Sequence, residues 1–184
     1  MTDFSQIFGN SHPVEVDLGC GKGGFTLALS QRFPSTNFLG VDYVDRWLRK
    51  GVLPEEKKIQ LNLAFLKTES LNFVTTCPDG SVAVFYVQFP DPWPKRRHRR
   101  RRVFEPKFLG ELYRALSPNG FLHVATDDHD YFSAMKAVVD ASTINWRSVR
   151  VSVNQRIAHP ELKTLYEAKF SAMGKALHYM ELIK

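Results

Sequence analysis

The chain has 184 residues, of which 43% are hydrophobic and 12% aromatic, so it can bury a core and does not have the composition of a disordered protein. Its formal net charge of +6 is concentrated, because the segment at positions 95–102, KRRHRRRR, holds seven of the 25 lysines and arginines. The remaining 18 basic residues face 19 acidic ones, which excludes a generally polycationic, histone-like protein.

Short apolar segments alternate with amphipathic ones in the first third of the chain, a pattern typical of alternating strands and helices. Glycines follow the first apolar segment, and an acidic residue ends the second. The spacing predicts strands over Val14–Leu18, Phe38–Val41 and Leu61–Leu66, with helices over Phe25–Phe33 and around Tyr43–Lys50.

The remainder of the chain continues this alternation. The segment Val82–Val87 is apolar at every position, which is typical of a strand covered on both faces in the middle of a parallel sheet. Downstream we expect a helix over Phe104–Leu116 that is ended by Ser117–Gly120, a strand over Phe121–Ala125, a helix capped by Asp127 or Asp128, an apolar segment over Val149–Val153, a mixed segment over Leu162–Met173 and a final strand over Ala176–Ile183.

This order of elements predicts an α/β fold. Parallel strands need helical crossovers, so the alternation favours a Rossmann-like, doubly wound and mostly parallel sheet. The apolar segments near the C-terminal end predict an antiparallel edge strand. No linker or internal repeat divides the chain, and we therefore expect residues 1–184 to form one domain.

The segment GCGKGG at positions 19–24 lies between a predicted strand and a predicted helix, where glycines let the backbone turn tightly and approach a nucleotide. Its spacing also fits the GxGxxG pattern of dinucleotide sites. Asp42, at the end of the next strand, is placed to accept hydrogen bonds from ribose hydroxyls. Asp17 favours S-adenosylmethionine, since an acid there attracts an ammonium and a sulfonium but would repel the pyrophosphate of NAD. Glu69, after the third predicted strand, is a further candidate for contacting adenine.

The segment FPDPWP at positions 89–94 follows the most apolar strand. Ligands of open α/β sheets bind outside the carboxyl ends of the strands, near the point where the strand order reverses. Three prolines fix their own φ angles and bias Phe89, Asp91 and Trp93 toward extended conformations. A stiff loop of this kind is suited to presenting the Asp91 carboxylate accurately to a reacting group.

The basic segment follows this proline loop directly. Seven cations within eight positions repel one another on a bare surface and are readily explained by phosphate groups, so we expect a nucleic-acid partner. A solvated face or a localisation signal is the alternative explanation for such a charge run.

Taken in order, the segments VDLGCGKGGF, FLGVDY, FPDPWPKRRHRRRR, ATD and TLYE resemble those of the bacterial tRNA (guanine-N7-)-methyltransferase family, from about Val14 to Glu167. The glycine loop alone is common to class I S-adenosylmethionine-dependent methyltransferases, whereas FPDPWPKRRH is far more specific. The resemblance implies a class I methyltransferase fold. It also implies methyl transfer from S-adenosylmethionine to N7 of the guanine at position 46, in the variable loop of tRNA.

The resemblance further implies roles for individual residues. Asp91 matches an acid assigned to both catalysis and cofactor binding, and Glu69 matches a shorter Asp or Asn near the adenine. The other implied cofactor residues are Asp17, Gly19, Gly21 and Asp42, the substrate residues are Lys95, Asp127, Thr164, Leu165, Tyr166 and Glu167, and the RNA contacts are Arg97, His98, Arg99, Arg100, Arg101 and Arg102.

Other functions remain open at this point. An RNA-binding protein on an inactive methyltransferase scaffold would keep the basic segment without binding the cofactor, although the acids at Asp17, Asp42 and Asp91 argue against it. An NAD-dependent oxidoreductase rests on the GxGxxG match alone. A methyltransferase acting on another RNA, or on a protein, would keep the cofactor loop and change only the acceptor.

Several classes of protein are not expected. No run approaches the roughly 18 apolar residues of a membrane helix, and the N-terminal residues do not resemble a signal peptide. Cys20 and Cys77 form no disulfide framework, so we expect a cytoplasmic protein. The six histidines show no HxH or HExxH spacing, so no metal site is expected, and the oligomeric state stays open between monomer and homodimer.

Overall fold

A computed structural model of the protein describes residues 1–44 and 61–184. The helix expected around Tyr43–Lys50 lies, beyond its first two residues, outside the described part of the chain. The strands are β1 (Val14–Leu18), β2 (Asn37–Asp42), β3 (Leu63–Lys67), β4 (Val82–Gln88), β5 (Leu116–Thr126), β6 (Ser148–Val153) and β7 (His178–Ile183). The helices are α1 (Phe4–Phe8), α2 (Gly24–Arg32), α3 (Ser70–Thr76), a 3-10 helix (Arg96–Arg101), α4 (Pro106–Ala115), α5 (His129–Asp140) and α6 (Leu165–Ala172).

The described strands form one sheet in the order β3-β2-β1-β4-β5-β7-β6. Strands β1 to β5 are parallel to one another, β7 runs antiparallel to β5, and β6 pairs antiparallel with β7 at the edge. The chain winds outward from β1 to β3 and then adds β4 on the other side of β1. This order confirms the predicted doubly wound, mostly parallel fold with antiparallel pairing at its C-terminal end. It also brings the carboxyl ends of β1 and β4 to the reversal point, where such sheets bind ligands.

Both faces of the sheet are covered. Helices α3, α4 and α5 pack on one face, where Phe85, Leu109 and Tyr131 are fully buried. Helix α2 and the loop after β6 cover the other face, around Phe25 and Tyr86. Each large apolar side chain contributes about 1.5–3 kcal/mol by leaving water, so these two layers hold the strand ends that form the site.

Two short helices, α1 and α3, have no sequence pattern that predicts them clearly. Helix α1 has only five residues and begins after Asp3, whose carboxylate accepts hydrogen bonds from the backbone N–H groups of Ser5 and Gln6. Phe8 of α1 and Phe73 of α3 are nevertheless buried in the main core. Helices this short depend on tertiary packing, and they present too few residues for a helical period to be recognised.

One predicted boundary is wrong. Helix α4 ends at Ala115, ahead of the Ser117–Gly120 segment that was expected to end it, because Leu116 already pairs with Val82 in the sheet. The turn expected in that segment is built into the start of β5, where Asn119 adopts a φ of 62°.

Capping residues define where helices α5 and α6 begin. Asp128, rather than Asp127, caps α5, because its carboxylate accepts a hydrogen bond from the backbone N–H of Tyr131 at 2.7 Å. The mixed segment over Leu162–Met173 contains α6, which begins after Thr164. Both helices start just beyond the carboxyl end of the sheet, on the side where the acids of the sequence motifs lie.

Candidate functional site

The glycine loop joins β1 to α2 at the carboxyl end of β1. Gly19, Gly21 and Gly23 have φ angles of 81°, 57° and 72°, which residues with a Cβ atom rarely adopt. The backbone N–H groups of Gly19 and Cys20 donate to the carbonyl of Val41 at 2.7 and 3.1 Å, which ties the loop to the end of β2. No described atom lies within 4 Å of the Cβ that an alanine would add at Gly19 or Gly21, so the space beside the loop is open.

Asp17 lies near the carboxyl end of β1 and is only 4% exposed. Its Oδ2 accepts a hydrogen bond from the hydroxyl of Thr26, on α2, at 2.8 Å. Burial raises the pKa of the Asp17 carboxyl to about 6, although the Thr26 hydrogen bond and the positive charge of Arg156 oppose the shift. A buried carboxylate whose ionisation is penalised in this way is stabilised by a cationic ligand.

Asp42 connects β2 to the glycine loop. Its Oδ2 accepts from the backbone N–H of Gly21 at 2.8 Å, and its Oδ1 accepts from that of Val44 at 2.7 Å. Each oxygen keeps a second lone pair, so the carboxylate can still accept hydrogen bonds from a ligand. Glu69 is exposed close by, since the backbone N–H of Thr68 donates to the Asp42 carbonyl at 3.1 Å. These cofactor candidates therefore share the carboxyl ends of β1, β2 and β3.

The proline loop, residues 89–94, leaves the carboxyl end of β4 with Asp91 exposed near its centre. The predicted extended conformation is wrong for Phe89 and Trp93, whose φ angles are 51° and 42°. Tertiary contacts impose this geometry on Phe89: its backbone N–H donates to the carbonyl of Ala125 at 2.7 Å, and its ring packs against α6. Left-handed conformations of this kind cost about 1–3 kcal/mol each and cluster at functional sites.

The TLYE segment forms the first turn of α6 as a capping box. The Thr164 hydroxyl accepts from the backbone N–H of Glu167 at 3.0 Å, and the Glu167 carboxylate accepts from the backbone N–H of Thr164 at 3.2 Å. The Tyr179 hydroxyl and the Arg156 guanidinium also donate to this carboxylate, each at 2.7 Å. Glu167 is 2% exposed and both of its oxygens are bonded, so in this structure it orders α6.

Leu165 and Tyr166 are the exposed members of the same turn. The ring of Tyr166 lies 6.5 Å from that of Phe89, at an interplanar angle of 30°, so α6 meets the proline loop. Because Gln88 and Ala125 are register partners, the ends of β4 and β5 lie side by side beneath this contact. We call the residues at 89–95, 127 and 164–167 the substrate corner.

Two further charged residues, Lys95 and Asp127, belong to the substrate corner. Asp127, directly after β5, forms an ion pair with Lys175, which lies just beyond α6 and over the ring of Phe170. Lys95 is exposed and precedes the 3-10 helix. The Asp127 carboxylate is therefore available to a ligand only if the ligand shares it with Lys175 or displaces Lys175.

The basic segment forms the 3-10 helix over Arg96–Arg101. Arg97 and Arg100 are exposed, and within residues 1–44 and 61–184 neither side chain has an ion pair or a hydrogen bond. Arg99 is half-exposed and lies 3.3 Å from the carboxylate of Asp130 on α5. The outward side of the segment thus presents free cations.

The inward side of the segment contacts the proline loop. The guanidinium of Arg101 lies 4.9 Å from the centre of the Trp93 ring, and the His98 ring meets the same indole edge-on at 5.8 Å. Arg102 is 9% exposed and therefore buried. The six implied RNA contacts consequently fall into exposed and inward-facing groups.

Two residues at the site were not predicted. Arg156 lies over the ring of Phe25 on α2, at 4.8 Å, and pairs with Glu167, so it connects the cofactor side to the substrate corner. Gln88, the last residue of β4, is buried, and neither its Oε1 nor its Nε2 has a partner among the described residues. Both features depend on contacts distant in sequence. The capping box, in contrast, was detectable from the T-x-x-E pattern at 164–167.

Within residues 1–44 and 61–184, no helix is long and apolar enough to cross a membrane. The same residues contain no group of three or more His, Cys, Asp or Glu side chains that could hold a metal ion. Cys20 and Cys77 are free thiols, and burial raises the pKa of Cys20 far above its usual value and that of Cys77 to about 12.

The chain is similar to known methyltransferases in sequence. Residues 11–180 match the family model Methyltransf_4, which is described as "Putative methyltransferase". The chain is 31% identical to the tRNA (guanine-N(7)-)-methyltransferase of Brevibacillus brevis, over 97% of this chain and 84% of that protein. It is 30% identical to the protein of the same name from Rubrobacter xylanophilus, over 97% of this chain and 80% of that protein.

The fold of the chain is also similar to those of solved methyltransferase structures. The 16S rRNA methyltransferase KamB aligns with a TM-score of 0.68 and 15% identity, over 98% of this chain and 92% of that one. A SAM-dependent methyltransferase from Archaeoglobus fulgidus aligns with a TM-score of 0.62 and 10% identity, over 98% and 90% of the two chains. These similarities establish a Rossmann-like methyltransferase fold.

Proposed function

The chain belongs to the tRNA (guanine-N(7)-)-methyltransferase family, and we propose that it transfers a methyl group from S-adenosylmethionine to N7 of the guanine at position 46, in the variable loop of tRNA. The family relation supports the reaction and the class of acceptor. The proposed site is supported by the arrangement of the glycine loop and its acids beside the substrate corner, across the adjacent strands β1 and β4.

The residues around the glycine loop fit S-adenosylmethionine. When bound, this cofactor supplies an electrophilic methyl group. The free lone pairs of Asp42 suit ribose hydroxyls, and Glu69 is exposed beside it, where an adenine amino group would lie. Asp17 suits a cationic end of the ligand, because burial penalises its ionised form more than the Thr26 hydrogen bond and the charge of Arg156 favour it. The same acids disfavour the pyrophosphate of NAD.

The substrate corner fits a reaction without a general base. Guanine N7 carries an in-plane lone pair at neutral pH, so no proton has to be removed before the methyl group is accepted. The ring gains positive charge during transfer, and the exposed carboxylate of Asp91 is our candidate for stabilising it. Proximity and alignment would supply the rest of the acceleration.

We assign guanine recognition to Asp127 and the first turn of α6, within the substrate corner. Asp127 can accept hydrogen bonds from the N1–H and the exocyclic amino group, the edge that distinguishes guanine from adenine. The exposed ring of Tyr166 offers a stacking surface for a base that has left its tertiary stack in the tRNA. The Thr164–Glu167 capping box holds that ring in place, and Leu165 extends the apolar surface beside it.

The exposed cations are assigned to the tRNA backbone. Lys95, Arg97 and Arg100 lie next to the proline loop with their charges directed to solvent, so phosphates flanking the target guanine would meet them first. We further propose that residues 1–184 act as one domain, and that the protein works in the cytoplasm, where its free thiols would stay reduced.

An acceptor that lacks N7 tests this function. Two tRNA transcripts, identical except for guanosine or 7-deazaguanosine at position 46, are incubated with labelled S-adenosylmethionine. We expect one methyl group per molecule on the first transcript and none on the second. Equal labelling of both would show that the methyl group is placed on another atom or another nucleotide.

A further inference from the structure

Arg102 differs from the other cations of the basic segment. It is 9% exposed, whereas the six cations before it are all exposed. A phosphate could reach the Arg102 guanidinium only after other protein groups had moved away, so electrostatic attraction to RNA does not explain its position. The contacts of the side chain indicate a different role.

The Arg102 side chain links the proline loop to α5. Its Nε donates to the carbonyl of Pro92 at 2.7 Å, and its Nη2 donates to the carboxylate of Asp130 at 2.8 Å. The guanidinium also lies 4.6 Å from the centre of the Tyr131 ring. Asp130 and Tyr131 belong to the first turn of α5, which is rooted in the core because Tyr131 is fully buried.

Few backbone hydrogen bonds hold the proline loop in place. Pro90, Pro92 and Pro94 have no backbone N–H to donate. Among the described residues, the loop donates one backbone hydrogen bond, from Phe89 to the carbonyl of Ala125. Side chains from outside therefore hold the distal half of the loop. Arg101 and His98 contact the Trp93 ring, and Arg102 bonds the carbonyl one residue beyond Asp91.

We propose that Arg102 is a positioning residue, whose guanidinium fixes the Pro92 carbonyl and thereby aims the Asp91 carboxylate at the methyl acceptor. This inference rests on the proposed function. It divides the basic segment into two parts: exposed arginines such as Arg97 and Arg100 bind phosphates, while Arg102 is part of the architecture of the site.

Replacing Arg102 by lysine tests the proposal, because lysine keeps the charge but cannot reproduce the forked donor geometry. Small displacements of a reacting group cost up to about 100-fold in rate, so we expect Arg102→Lys to lower kcat at least about tenfold. Its Kd for tRNA, and the salt dependence of that Kd, should stay within about twofold of the wild type. A phosphate-binding role predicts a near-normal kcat instead, and that result would overturn the proposal.

Asp130→Ala provides a second variant that leaves every cation in place. Asp130 is 58% exposed at its side chain, so its loss should not impair folding. The proposal expects a reduced kcat, because one end of the Arg102 bridge is lost. If Arg102 served only to attract RNA, removing the acid would tighten tRNA binding and leave kcat unchanged, which would contradict the proposal.

A measurement without substrate separates this inference from the proposed function. In protein labelled with 5-fluorotryptophan, the 19F resonance of Trp93 is assigned with Trp93→Phe. It should shift or broaden in Arg102→Lys and Asp130→Ala but not in Arg147→Lys, which alters an exposed arginine bonded to Asn119. An unchanged Trp93 resonance in the first two variants would overturn the role of Arg102. Absence of tRNA methylation by the wild type would overturn only the proposed function.

Discussion

At the scale of single residues, the exposed Asp91 carboxylate is the group assigned to the developing charge on guanine. Preorganised groups of this kind typically contribute about 100- to 1000-fold to a rate, so Asp91→Ala should lower the single-turnover rate by at least about 100-fold. Its affinity for tRNA should be nearly unchanged, as measured by filter binding. Asp140→Ala is the matched control, because Asp140 is an exposed acid whose ion pair is with Lys136 on the same helix. Near-normal turnover in Asp91→Ala would remove the catalytic assignment.

Asp17 is expected to make the affinity for the cofactor depend on pH. Burial raises its pKa to about 6, so at pH 5 about one in ten Asp17 side chains is ionised and at pH 7 about nine in ten are. If the ionised form binds the cationic cofactor, calorimetry should show affinity for S-adenosylmethionine rising by about tenfold from pH 5 to pH 7. Asp17→Asn should bind weakly, with little pH dependence over this range. A flat profile in the wild type would exclude Asp17 as the controlling group.

Gln88 is a polar side chain for which the described residues offer no partner. It lines a small cavity with His123, Arg156 and Tyr179, where each unpaired polar group costs about 1–3 kcal/mol. Gln88→Met, of similar volume, should therefore raise the free energy of unfolding by about 1–2 kcal/mol in urea denaturation. We expect the same variant to methylate tRNA more slowly, because the amide lies at the end of β4 beside the proline loop. A destabilised variant would mean that a bound water or another group already satisfies the amide.

At the scale of secondary structure, the Arg156–Glu167 pair joins the loop after β6 to helix α6. Both side chains are buried, at 6% and 3% exposure, and their charged atoms are 2.7 Å apart. Removing one partner leaves an uncompensated buried charge, so Arg156→Met should lower the free energy of unfolding by about 3–5 kcal/mol. In Arg156→Met/Glu167→Gln the loss should be smaller than the sum of the two single losses, since the buried charge is gone. Denaturation of the three variants measures this, and a loss below about 1 kcal/mol in Arg156→Met would contradict it.

Arg156 also influences the cofactor side of the site. Its positive charge opposes the rise in the pKa of Asp17, so Arg156→Met should move the pH dependence of cofactor binding to higher pH. That change is not expected from loosening of α6 alone. The Arg156–Glu167 pair thus links the substrate corner to Asp17 through the charge of Arg156 as well as through packing contacts.

The central strand β4 was predictable because a strand buried on both faces has consecutive apolar residues. Val82–Val87 is covered on both faces, and a run of apolar residues is what such a position requires. The left-handed Phe89 and Trp93 were not predictable, since packing against α6 and the basic segment overrides the local preference before proline. Arg102 illustrates the same limit: composition places it in a charge run, and only the fold turns it inward.

At the scale of the whole molecule, the net positive charge lies in the basic segment, and the rest of the chain forms the fold that holds the proposed site. Outside the basic segment the chain has 18 basic and 19 acidic residues, so its attraction for a polyanion is centred on one place. That place is the continuation of the proline loop, four residues after Asp91. A tRNA drawn to these cations would therefore arrive at the carboxyl ends of β4 and β5, beside the proposed methyl donor.

The most direct test of this account is to map the methyl group on an unmodified tRNA. The wild-type protein is incubated with S-adenosylmethionine and a full-length transcript, and 7-methylguanosine is located by borohydride reduction and aniline cleavage. We predict a single cleavage product, ending at position 46, that disappears when S-adenosylmethionine is omitted. Cleavage at another guanine, or methylation detected on another base or on no RNA at all, would contradict the account.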